Sequence, residues 1–177
     1  IFPQFKFYER LKIFNNFSNK LRFEYDDYLI LALIIMDESN DYEYFCHKYR
    51  VSNNIKDRFK NIALNFNDIK SKKFYLDSNI KKFIYLFGKN CTLDLLFFSA
   101  CENNNRKNFN IEKLINYVKN YKIPKFPISG EYLKKHGYKT GEILGKKLEE
   151  LEKEWINNNF SIDEKIFKKS LFKRNHN

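Results

Sequence analysis

Residues 126–160 read FPISGEYLKKHGYKTGEILGKKLEELEKEWINNNF, and the glycines in this stretch decide how the chain is read. The protein has five glycines in 177 residues, and Gly130, Gly137, Gly141 and Gly145 all stand here, interleaved with lysine. Ser129 is placed to cap a short helix, GEYLKKH, with Glu131 favourable in its first turn. Gly137 fits the position just past that helix, where a left-handed backbone is needed. Thr140 is expected to cap a second helix that Gly141 opens. Gly145 lies one turn further in, where glycine costs up to about 1 kcal/mol relative to alanine. It therefore reads as a point of close backbone approach. Leu144, Leu148, Leu151 and Trp155 then repeat at 4-3-4 spacing and make one apolar seam. Glu149 and Lys153 form an i,i+4 pair on the opposite face. Ser161 with Glu164 spells a capping box for a further helix over 162–172.

The rest of the chain carries the same helical signature. Apolar residues at 8, 11, 13, 14 and 17 mark one helical face, and Asp26 or Asp27 can cap a helix running to Met36. Tyr42–Tyr49 reads as a short amphipathic helix. Ser52 or Asn53 starts another over Ile55–Phe66, and Asp77 or Ser78 starts one over Ile80–Phe87, closed by Gly88. Thr92–Cys101 is nearly all apolar and belongs at the centre of the core. A polar loop at 103–108 leads to a last body helix, Ile111–Tyr121. The expected fold class is all-α. Pro124 and Pro127 form the one proline cluster, which sets the expected boundary between a helical body, 1–122, and a smaller helical tail, 123–177. The chain begins at Ile1 rather than Met, which reads as a piece of a longer protein or an unusual start codon.

Composition narrows the function classes. A hydrophobic fraction of 43% with 19 Phe and 12 Tyr argues for a packed, aromatic-rich core. Cys46, Cys91 and Cys101 are odd in number and widely spaced and do not read as metal ligands, and Cys91 and Cys101, which flank the apolar run LDLLFF, read as buried thiols in a reducing, cytoplasmic setting. The longest apolar run, 29–36, is far shorter than the roughly 20 residues a membrane helix needs, so no membrane partner is expected. The formal net charge is +11. Either a surface for polyanions, nucleic acid or an anionic membrane surface, or the lysine-rich codon usage of an AT-rich genome accounts for it. Around the glycine turn, Lys134, Lys135, Lys139, Lys146 and Lys147 could complement a phosphate held by amides at the helix start near Gly141. The alternative is a compact helical corner with solvated lysines.

The segment ISGEYLKKHGYKTGEILGKKLEELEKEWINNNFSIDE (128–164) is similar to the C-terminal signature of bacterial-type CCA-adding enzymes and poly(A) polymerases. Gly130, Glu131, Leu133, Gly137, Gly141, Leu144, Gly145 and Leu148 fall on that pattern, whereas Thr140 replaces the usual proline and His136 a common leucine. HKYRVSNNIKDRF (47–59), with Arg50, Ser52 and Asn53, and FIYLFGKNCTLDLLFFSAC (83–101), around Gly88–Lys89, resemble two body motifs of the same family in the same order. The family's catalytic head carries a Gly-Ser pair and an Asp-x-Asp that hold metal for nucleotidyl transfer. This chain has neither. The resemblance thus implies a body and tail that hold tRNA, with the head supplied in cis or by a separate chain. It implies no catalytic residue and no metal or cofactor here, since Mg²⁺ and CTP or ATP go with the head. It puts RNA contacts at Lys134, Lys135, Lys139, Gly141, Lys146, Lys147 and Arg50, with Lys173 and Arg174 as further candidates. CCA addition and poly(A) synthesis are not told apart by this region. A stand-alone helical RNA-binding or protein-interaction module is the competing expectation.

Overall fold

The computed structural model describes residues 5–17, 19, 25–102 and 110–162. Among them every regular element is a helix, so the fold is all-α. The chain divides into two compact units, residues 1–121 and 122–177. The first contains α1 (Glu9–Asn15), α2 (Asp27–Ile35), α3 (Asp41–Lys48), α4 (Asn53–Leu64), α5 (Phe66–Lys70), a 3₁₀ turn (Lys72–Tyr75), α6 (Asp77–Glu102) and α7 (Ile111–Asn120). The second contains α8 (Gly130–Lys135) and α9 (Glu142–Asn157).

The first unit is organised around the second half of α6. Leu95, Leu96, Phe97, Phe98, Ser99 and Cys101 are all fully buried and Ala100 is partly buried, so this helix is covered on nearly every side along those turns. That is the condition of a central helix, and α1, α2, α4, α5 and α7 all pack on α6. Aromatic rings fill the spaces. Phe97 meets Phe14 edge-on at 5.5 Å and stacks on Tyr25 at 3.8 Å, while Phe66 lies 5.9 Å from Phe98. Such pairs add roughly 0.5–1.5 kcal/mol each beyond the area they bury. Helix α6 is broken at Gly88, whose φ of +79° and ψ of 170° no helix accommodates. The Thr92 hydroxyl donates to the Gly88 carbonyl at 2.8 Å and secures the restart.

Asp26 caps α2 through the Leu29 amide, at 3.0 Å. Ser52 occupies the N-cap of α4, but its hydroxyl makes no capping bond. The helix expected over 55–66 ends at Leu64, because the Asn65 side-chain amide turns back to the Asn61 carbonyl at 2.8 Å and α5 starts anew. Cys46 and Cys101 are buried free thiols, whereas Cys91, also free, is only partly covered. The 103–108 loop, the 162–172 helix with Glu164 of its capping box, and Lys173 and Arg174 lie outside the described residues, apart from Ile162. No helix among the described residues is long and apolar enough to cross a membrane.

One buried cation ties the first unit together. Arg10 is 5% exposed, and its Nη1 donates to the carbonyls of Leu33, at 2.9 Å, and Met36, at 2.6 Å. Its Nε donates to the Glu102 carboxylate, and its guanidinium sits 4.1 Å from the Phe7 ring centre and 4.9 Å from that of Phe98. Replacing Arg10 with Met should cost about 3 kcal/mol, since the Glu102 carboxylate and two carbonyls lose their donor in a covered place. Urea unfolding followed by circular dichroism measures this directly.

Candidate nucleic-acid interface

The glycine corner is built by two opposite devices. Ser129 Oγ accepts the Tyr132 amide at 3.2 Å and starts α8. The helix then ends in a six-residue closure: the Gly137 amide donates to Lys134 O at 3.0 Å, and the Tyr138 amide to Leu133 O at 3.2 Å. Gly137 has φ +89° at the position this closure requires, and Tyr138 packs with buried Leu133 across it. After the turn, Thr140 does not cap α9, contrary to expectation. Gly141 itself is the N-cap, with φ +140° and no side chain to bond, so among the described residues no side chain caps the first-turn amides of α9. The ladder begins with the Gly145 amide donating to Gly141 O at 3.2 Å.

Gly145 is a second correction. A Cβ added there would meet nothing within 4 Å, so no backbone approaches it among the described residues. The close approach falls at Gly130 instead, where a Cβ would stand 3.4 Å from the Leu144 side chain. Ile128, Leu133, Leu144 and Leu151 form the buried core of the corner, with Phe126, Tyr138 and Leu148 around it. Trp155 closes the far end, 5.4 Å from Phe126 and edge-on to Phe160 at 5.0 Å.

The structure separates the sequence-predicted lysines. Lys135 and Lys139 are exposed and make no ion pair among the described residues. Lys146 is 73% exposed and reaches Glu142 at 2.7 Å, and Lys134 stands 3.9 Å from Glu131. These pairs sit in water and are worth little, so the ammonium groups stay available to a stronger anion. Lys147 does not join them. Its side chain is 8% exposed and bonds Glu150 at 2.9 Å. It lies three residues after Leu144 and four before Leu151, on the buried face of α9. Arg50 belongs to the other unit, exposed at the end of α3 with φ +51°. There the Val51 amide donates to Cys46 O at 2.9 Å, the same closure that Gly137 makes possible in α8.

Charge over residues 122–162 is sorted along the chain. Residues 122–147 hold seven lysines against two glutamates, while 148–162 hold four glutamates against one lysine. Within 122–162 the positive charge is therefore concentrated before Leu148.

A cleft of the first unit was not legible in the sequence. It measures about 540 Å³ and is lined by Asn54, Arg58, Asn61, Phe87, Asn90 and Asp94 among others. Arg58 grips both oxygens of Asp94, at 2.7 and 2.9 Å, and donates through Nη1 to Asp26 at 2.6 Å. Burial raises the Asp94 carboxyl above its usual range and outweighs the guanidinium beside it. For Asp26 the balance is reversed. Burial raises it, but Arg58 and the Leu29 amide together bring it below the ordinary carboxylate range. These groups satisfy one another and fasten α2, α4 and α6, so their role is to hold helices in place. Among the described residues no group of three or more His, Cys, Asp or Glu stands together to hold a metal ion.

Two measurements check this geometry. Gly137→Ala should destabilise the second unit by about 1 kcal/mol through its left-handed backbone, and Gly145→Ala should stabilise it by up to about 1 kcal/mol. Thermal unfolding of the two variants should move in opposite directions. The Asp26 carboxyl, lowered in the folded state, contributes stability that is present above the ordinary carboxylate range and is lost as pH falls through its lowered value. Asp26→Asn should flatten the acid limb of a stability–pH curve below about pH 4.

Neither a family model nor a curated protein nor a solved structure matches this chain, so its function is argued from its own residues.

Proposed function

We propose that this chain binds RNA, with tRNA as the foremost partner, as the body and tail of a class II tRNA nucleotidyltransferase or poly(A) polymerase. The observation that carries the reading is the glycine corner. Lys135, Lys139 and Lys146 stand exposed around a helix start whose first-turn amides have no side-chain cap among the described residues. Phosphate oxygens suit both parts: the amides offer fixed donors and the lysines supply mobile charge. Lys134 adds to the patch, and Gly141 lets the backbone reach it without a side chain in the way. Arg50, exposed on the first unit, is a separate candidate contact. The resemblance of residues 128–164 to that family's tail signature supports the assignment of the parent enzyme. On this reading the chain positions RNA by shape and charge, and nucleotide addition belongs to a catalytic head carried in cis or by a partner chain. Mg²⁺ and CTP or ATP act at that head. The carboxylates of Asp26 and Asp94, both held by Arg58, form a donor set that does not fit a cation.

A tRNA gel shift tests the proposal. Changing Lys135, Lys139 and Lys146 together to Glu should weaken binding at least tenfold at moderate salt and lower the salt slope by about 2 to 3. Lys147→Met, on the buried face, should leave affinity unchanged. Wild-type affinity in the triple variant overturns the site. Absence of binding at low salt favours a protein-interaction module instead.

A further inference from the structure

We infer that Tyr132 and His136 form a stacking platform for an unpaired RNA base at the edge of the lysine corner. The inference rests on the RNA-binding reading and specifies which kind of RNA the corner takes. Helix spacing puts Tyr132, Lys135 and His136 on one face of α8, at i, i+3 and i+4, while Leu133 turns inward to the core. Tyr132 is 39% exposed, and the His136 ring lies against it with centroids 4.3 Å apart and planes 33° from parallel. His136 Nδ1 stands 2.8 Å from the Tyr132 carbonyl oxygen, and the Nδ1–H tautomer donates to it, which fixes the ring over its neighbour. The two rings thus lie together at the surface of the unit, outside its buried cluster.

The surroundings select the ligand. Lys135 shares the platform's face, and Lys139 follows two residues past the Gly137 turn, both exposed and without an ion pair among the described residues. An aromatic face flanked by free cations is what a base and its own phosphate require together. A fully paired duplex keeps its bases stacked inside and offers the platform nothing. A loop, a bulge or a strand end does.

The test separates base from phosphate. Fluorescence anisotropy compares a labelled single-stranded oligoribonucleotide with a strand of equal length and charge whose bases are removed. The wild-type chain should prefer the base-bearing strand about tenfold, Tyr132→Ala should abolish that preference, and Tyr132→Phe, which keeps the ring, should retain it. Equal affinity for the two strands overturns the platform, and so does a preference that survives Tyr132→Ala. If in either case binding still depends on Lys135, Lys139 and Lys146, the RNA reading stands without the platform. If neither strand binds at low salt, both readings fall.

Discussion

The first unit depends on one guanidinium. Neither α2 nor α6 carries a basic residue in its last turn, and α6 ends on a glutamate, the wrong charge for that end of a helix. Arg10 corrects both faults from a third helix. It supplies donors to the closing carbonyls of α2 and neutralises Glu102 at the close of α6, with aromatic faces against its plane. A lysine could not do the same work, because a point charge lacks the fork that reaches two carbonyls and a carboxylate at once. Arg58 repeats the device on a smaller scale where α2 begins, so α2 is held at both ends by arginines from other helices.

Much of the helical framework was legible because it follows from local chemistry. The Asp26 cap, the stop at Gly88 and the buried run around Leu95–Phe98 each depend on residues a few positions apart. The same holds for Gly137, whose backbone conformation excludes most side chains. What escaped the sequence was settled by partners far along the chain. Nothing near Arg10 or Arg58 in sequence announces Glu102 or Asp94, and the cleft at Arg58 exists only once α2, α4 and α6 are assembled. Within the lysine corner, composition treats Lys146 and Lys147 alike. The heptad-like spacing of Leu144 and Leu151 already implied that one of the two points inward, and the structure shows that it is Lys147. Gly145 was misread for a related reason. A helical glycine has two explanations, close approach or a bare surface, and only packing distinguishes them.

Scarcity of glycine also shapes how the helices end. The closure that Gly137 makes without strain is made at α3 with Arg50 and at α9 with Asn159, followed by Phe160, all in left-handed backbone. The Asn159 amide donates to Ile156 O at 3.1 Å and the Phe160 amide to Trp155 O at 2.9 Å, while the two rings meet edge-on. Left-handed side-chain residues cost on the order of 1–2 kcal/mol each, and the apolar contact across each closure offsets part of that cost.

The sorting of charge along α9 has an electrical consequence. Peptide dipoles already make the start of a helix positive and its end negative, and most helices place side chains of the opposite sign there. Past Glu142, α9 does the reverse, with lysines towards its start and glutamates towards its end. Backbone and side-chain fields therefore add. The helix forgoes a little intrinsic stability and carries a larger permanent dipole than its backbone alone would give. On the RNA-binding reading, the positive end of that dipole is the one that faces the corner.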